Sequence, residues 1–269
     1  MYFLLVLGGP IKECREELAW FLGELKSFRD AGAGFWYKPF QGVFDLLSQG
    51  FDEERYENFM GEVWCVEEDW YEGDASSFDA WTSIVHMLAV TILGDPRSQQ
   101  NLAESCKHLL SRPIQSVDMA CVFLWDALAA VSVCPEETFL KRRKLRRLVR
   151  FRLRTIKEFA VYSRQFCNGK VALLEAELAA LSENNDGAIL LYDSAIALSA
   201  SANVLLDEAI ATERAARFLK RTGRHDESFA YLNKAIAAYD RYGALAKTEK
   251  LSREVLLLLS KTENGDTSD

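Results

Sequence analysis

Apolar residues between positions 171 and 246 recur at helical spacing, and the pattern then repeats 40 positions further on. Ala176 aligns with Ala216, Ala188 with Ser228, Tyr192 with Leu232, Ala195 with Ala235 and Ile196 with Ile236. Small residues stand where two helices of a hairpin must approach closely, and larger apolar ones where the next hairpin must be covered. That arrangement predicts a stacked helical array. The first hairpin is expected over residues 171–181 and 187–200, entered through a turn at Asn168-Gly169. The second is expected over 205–221 and 226–241, joined by Thr222-Gly223-Arg224-His225. A closing helix over 244–259 carries Leu245, Leu251, Val255 and Leu259 and is expected to cap the array.

The earlier part of the chain is less regular. Pro10 can open a helix striped by Ile11, Leu18, Phe21, Leu22, Leu25 and Phe28, ended by residues 31–34. Residues 35–49 form a second apolar segment rich in aromatics. Between 52 and 79 there are eleven acidic residues and one basic residue, Arg55, interleaved with aromatics. The expectation there is an amphipathic helix with an acidic solvent face. Ser76 or Ser77 can cap a helix over 78–93, closed by Gly94-Asp95-Pro96, with a partner helix over 97–110. Pro113 starts another unit, in which 119–133 is strongly apolar and Cys134-Pro135 is the break. The division expected is an irregular aromatic-rich helical part (1–75), helical hairpins with a basic helix (76–167), tetratricopeptide-like repeats with a capping helix (168–260) and a disordered tail (261–269).

Composition narrows the function. Hydrophobic residues make up 49% of the 269, and only five prolines interrupt them, which suits a folded helical protein. A net charge of −8 argues against general nucleic-acid binding. Six cysteines occur without a CxxC pair, and they read as reduced, mostly buried thiols of an intracellular, cytoplasmic protein. Residues 1–7 are apolar but short and lack a basic flank, and the uncharged run 80–94 has the length of a buried helix, so no membrane span is expected.

The exception to the acidic balance is 141–157, where ten of seventeen positions are Lys or Arg. Apolar residues at Leu145, Leu148, Val149, Leu153, Ile156, Phe159 and Ala160 still keep helical spacing, so one face packs. The candidate basic patch is Arg142, Arg143, Arg146, Arg147 and Arg150. It reads first as a solvated face or one complemented by the acidic segment, and alternatively as a contact for nucleic acid or an anionic surface.

Catalytic signatures are missing from the sequence. Asn168-Gly169-Lys170 has the look of the end of a phosphate-binding loop, but its first glycine position is Arg164 and no Ser or Thr follows Lys170. His86, His108 and His225 lie far apart and none has metal-ligand spacing. Glu175 and Glu177, two apart, point to different sides of a helix and cannot work as an acid–base pair. No catalytic residue, metal or cofactor is expected; an unrecognised helical enzyme is the third-ranked reading. In two-helix repeats the inner helices line a groove, and its exposed positions here are Glu177, Glu213, Arg217 and Lys220.

The segments 173–181, 191–198 and 207–219, with Ala230-Tyr231-Leu232 and Tyr242-Gly243-Ala244-Leu245-Ala246-Lys247, resemble a known family. They are similar to the tetratricopeptide-like helical region that follows the ATPase module in multi-sensor signalling kinases, the AAA-type ATPase and histidine kinase fusions. That family usually shows Trp-Gly-Ala-x-Ala-Lys, and Tyr242 stands in place of the Trp. The likeness covers about 157–251, and the ATPase, sensor and kinase parts have no counterpart here. It implies an all-α, right-handed superhelical array of antiparallel helix pairs. It further implies a non-catalytic interaction or regulatory module whose protein partner is an ATPase or kinase domain.

Overall fold

The computed structural model describes residues 8–27, 38–61, 75–94, 96–105 and 119–265. Among them all regular structure is helical. The order is α1 (Ile11–Ser27), α2 (Lys38–Ser48), α3 (Glu53–Gly61), α4 (Ala75–Leu93), α5 (Pro96–Ser105), α6 (Met119–Val133), a 3-10 turn (Cys134–Glu136), and α7 (Phe139–Ala160). Then follow α8 (Arg164–Ala180), α9 (Asn185–Ser201), α10 (Leu205–Arg221), α11 (His225–Tyr242) and α12 (Leu245–Gly265).

The stretch from α8 to α12 is built on one closure used four times. Each helix gives way to a residue of positive φ: Glu183 at 60°, Asn203 at 56°, Gly223 at 80° and Gly243 at 92°, with 20 residues from one to the next. The next amide then reaches the carbonyl five residues back: Asn184 to Ala179 at 3.1 Å, Val204 to Ser199, Arg224 to Leu219 and Ala244 to Tyr239 at 3.0 Å. This is the Schellman closure, which satisfies carbonyls that a helix end leaves without partners. The same four residues accept the first bond of the following helix, from Ala188, Glu208, Ser228 and Thr248. Turns this short bring each helix back onto the one before it, and α8 packs on α9, α9 on α10, α10 on α11 and α11 on α12.

Burial repeats with the closures. Residues 188–197 and 228–237 carry the same sequence of buried, half-buried and exposed classes, position by position. All five residue pairs aligned at an offset of 40 fall in matching classes. Asn168-Gly169, by contrast, does not form a turn. It lies inside α8, and the reversal occurs at 161–163. Gly169 is needed for close approach, because a Cβ there would stand 2.3 Å from Ser199 Oγ and 3.3 Å from the Ser199 amide nitrogen of α9.

One apolar cluster runs from Ile11 to Val255 and joins the expected segments. Its centre is α6, in which every residue but Ser132 is buried, packed on by α4, α5, α7 and α8. Residues 119–136 are long and apolar enough to cross a membrane by length and composition, with a mean hydropathy of 1.5, yet 83% of that stretch is buried inside this fold. Asp126, in the middle of α6, meets Arg152 of α7 at 2.6 Å, and both side chains are buried.

The closing helix covers the array and is itself covered. α12 packs on α2 and α4 as well as α11. The Phe51 amide donates to Glu249 at 2.8 Å, and Lys250 Nζ donates to the Leu93 carbonyl at 2.7 Å. Gly8 sits against Val204 and Leu206, and Gly243 against Ile11. α12 also continues to Gly265, through the first part of the tail expected from 261. α4 begins at Ala75, ahead of Ser76 and Ser77, the residues expected to cap it. The breaks at 31–34 and Pro113 lie outside the described residues, as do Phe35 to Tyr37 and residues 62–74 of the acidic segment. In its described part, α3, Glu53, Glu54 and Glu57 are exposed.

The closures make a testable contrast. Gly223 has open space around it, so Gly223→Ala should lower stability by about 1–2 kcal/mol purely through its left-handed backbone. Glu183→Gly should raise stability by up to ~1 kcal/mol for the converse reason. Urea unfolding of both variants checks the opposite signs.

Candidate functional site

Lys170 is wholly buried, and the surroundings of its ammonium explain why the phosphate-loop likeness leads nowhere. Nζ lies 2.5 Å from Asp207 Oδ2 on α10, donates to the Phe166 carbonyl at 3.1 Å, and stands 3.4 Å from the centre of the Phe166 ring. Burial alone would depress the lysine pKa, but Asp207, helped by Cys121 and Cys167, outweighs it and the net shift is upward. Burial pushes the nearby Cys167 thiol up. Lys170 thus ties α8 to α10.

A second pairing of the same kind follows along the helices. Glu177 of α8 pairs with Arg214 of α10, whose Nη1 also donates to Ser132 Oγ of α6 at 2.6 Å. Forty residues further on, Arg217 of α10 pairs with Glu254 of α12. The position is repeated and the sign of the charges is exchanged. Glu213 gathers a third set: Lys247 at 2.9 Å, Arg217 at 3.4 Å, and the Tyr239 hydroxyl donating at 2.8 Å. Lys220 completes the network at 3.2 Å from Glu254.

All four residues expected to line an exposed groove are therefore brought together, but not as free positions. Glu177 is buried and Glu213 nearly so, and only Lys220 is exposed. The reason is coverage, since α4, α5 and α6 lie over this face. Between them and the array remains a cavity of about 370 Å³, lined among others by Thr91, Gln99, Tyr192, Arg221 and Lys250. Its walls carry five cations (Arg214, Arg217, Arg221, Lys247, Lys250) against two carboxylates, Glu177 and Glu213. Arg221 was missed by the sequence reading. It is exposed, with its guanidinium 5.8 Å from the Phe218 ring centre.

Electrostatics in the cavity follow from burial and pairing. Burial raises Glu213, but Lys247 and Arg217 overcome it and hold the carboxyl below its usual range. Tyr192 and Tyr239 are pushed well up, by burial first and then by Glu177 and Glu213 respectively. Both hydroxyls therefore stay protonated as donors to those carboxylates. Glu175 meets Lys157 at 2.6 Å.

The basic helix α7 divides its charges. Arg142 donates to the Glu137 and Pro135 carbonyls at 2.7 and 2.8 Å, and Arg146 donates to the Leu181 carbonyl. Those two arginines close helix ends. Arg143, Arg147 and Arg150 are exposed, and so are Lys144 and Arg154, which the sequence reading did not include. Among the described residues none of these five has a carboxylate partner, and none of the described carboxylates of α3 pairs with α7.

His86 is buried against the edge of Phe59, with ring centres 5.2 Å apart, and burial lowers its pKa. His108, Cys65 and Cys106 lie outside the described residues. Cys14, Cys121, Cys134 and Cys167 are buried and form no disulfide among the described residues. No group of three His, Cys, Asp or Glu side chains fit to hold a metal ion occurs among the described residues. No family model, no curated protein and no solved structure matches the chain.

The Glu213 cluster sets a pH dependence. A carboxyl held below its unfolded value of about 4.3 contributes stability above that pH and loses it as pH falls through the folded value. Glu213→Gln, which leaves the buried Lys247 without its carboxylate while Arg217 keeps Glu254, should cost about 3 kcal/mol at neutral pH. The gap from the parent should narrow below about pH 4. Urea midpoints measured across that range check both the size and the sign.

Proposed function

We propose that the chain is a non-catalytic, tetratricopeptide-like interaction module, a right-handed array of antiparallel helix pairs working in a cytoplasmic signalling assembly beside an ATPase or kinase domain. The observation that carries this reading is the fourfold helix closure at 20-residue intervals with its matching burial. Regular closures of this kind serve to stack helices and present their faces, and the polar groups they bring together here are absorbed in ion pairs. The signalling context rests on the resemblance over about 157–251. Within the module, the exposed Lys220 and Arg221, of which Arg221 lies on the cavity wall, are the accessible polar edge toward a partner, while Glu177, Glu213 and Arg217 hold that edge in place.

Two measurements on native cells test it together. An antibody against residues 170–250 reports whether the chain runs near 30.5 kDa or within a longer polypeptide. Affinity isolation with mass spectrometry reports what accompanies it. The expected result is an ATPase or kinase domain, either covalently continuous or co-isolated, with co-isolation weakened when Lys220→Gln and Arg221→Gln are combined. A band near 30.5 kDa with no such polypeptide attached would reject the signalling assignment.

A further inference from the structure

The face of α7 turned away from the core is unusual in both its charge and its apolar content. Leu145, Val149, Arg152, Leu153 and Ile156 are buried and define the packed side. Opposite them, at about 100° per residue, stand Arg143, Arg147, Arg150 and Arg154, with Lys144 at the margin. Glu158 is the single carboxylate between Phe139 and Tyr162. Large apolar side chains share that exposed face instead of packing: Leu140 is 70% exposed, Phe151 57% and Tyr162 88%, with Phe139 and Val161 beside them. Leu140, Phe151 and Tyr162 follow one another at intervals of 11 residues. Eleven helical residues make about three turns plus 20°, so Leu140 and Phe151 lie nearly on one line, about 16 Å apart. Val161 keeps helical dihedrals just beyond Ala160, and Tyr162 stands in the turn that ends α7, on the same side.

We infer that this face of α7 docks on an anionic lipid bilayer, with Leu140, Phe151 and Tyr162 entering the interface and the flanking arginines meeting the headgroup phosphates. The charge is complementary, and five cations on this face have no carboxylate partner among the described residues. Arginine stems lie along an apolar boundary while their heads stay in water, which suits residues interleaved with aromatics. The aliphatic members separate a bilayer from a nucleic acid. Leu140 and Val161 cannot stack on bases, whereas both leave water at a lipid interface. The net charge of −8 does not oppose this. Charges more than about 10 Å from the headgroups are screened at ordinary salt, so the local face decides. This docking stands independently of the signalling assignment.

The test is co-sedimentation of the full chain with vesicles of phosphatidylcholine alone and of an equimolar mixture of phosphatidylcholine and phosphatidylserine. Binding is expected to the mixture and to fall with salt, with little to phosphatidylcholine alone. Combining Arg143→Gln, Arg147→Gln and Arg154→Gln should weaken it on the order of a hundredfold, and Phe151→Ser about tenfold. All four side chains are exposed, and unchanged circular dichroism confirms that the variants fold. A control removing the same charge elsewhere, Lys12→Gln with Lys234→Gln and Arg253→Gln, should leave binding intact. The inference is overturned if the parent chain stays in solution with the mixed vesicles, or if the control triple loses as much as the α7 triple. It is also overturned if a single-stranded RNA oligonucleotide binds through Phe151 while the vesicles do not.

Discussion

A helix that must reverse within three or four residues leaves its last carbonyls without partners unless one residue turns left-handed and lets the following amides reach back. The half of the molecule from α8 to α12 depends on that constraint being met at each reversal. Because the left-handed residues stand 20 apart, α8, α9 and α10 each have 17 residues and α11 has 18. Helices of equal length and equal closure present the same face at the same height. The repeated burial is a result of that geometry. Where no glycine is available, at Glu183 and Asn203, the backbone adopts the same conformation with a side chain attached. At Glu183 the stack therefore imposes a turn that its residue does not favour, whereas Asn203 takes the left-handed region readily.

Equal geometry also creates equivalent sites for charge. The pairs Lys170–Asp207, Glu177–Arg214 and Arg217–Glu254 all join residues 37 apart. Each ties one helix to the second one after it: α8 to α10 twice, and α10 to α12 once. Such a site asks only for opposite charges, and either order serves, which is why Glu177–Arg214 can return as Arg217–Glu254. A helix slipping by one residue would leave a half-buried or buried charge alone, which costs far more than the pair itself contributes. The pairs therefore penalise wrong register more than they add to stability.

How much of this was legible follows from what each signal was made of. The all-helical class, the second hairpin and its turn came directly from apolar spacing and from Gly223. The period of 40 was readable because small residues recur, but the shorter interval of 20 was hidden, since only two of its four turn residues are glycines. Asn168-Gly169 carried a turn composition that packing overrode, because α9 approaches too closely for a Cβ at 169. The ion pairs escaped an alignment by residue identity because exchanged charges look like mismatches. Glu177 and Glu213 were placed in the right cluster but on the wrong side of its surface, since nothing local announced that α4 to α6 would cover them. The basic patch was found as a segment, yet only coordinates could separate Arg142 and Arg146, bound to carbonyls, from the arginines beside them.

The meeting of α12 with α2 and α4 bears on how the molecule comes to exist. Phe51 waits for Glu249 across 198 residues, and Leu93 for Lys250 across 157. The entropy of closing such loops rises slowly with length, so the burden falls on time more than on stability. On a ribosome, α2 and α4 emerge long before the helix that shields them, and α6 stays bare until α7 and α8 arrive. A nascent chain arrested before residue 245 would leave open the faces of α2, α4 and α11 that α12 covers, and translation of that one late helix closes them.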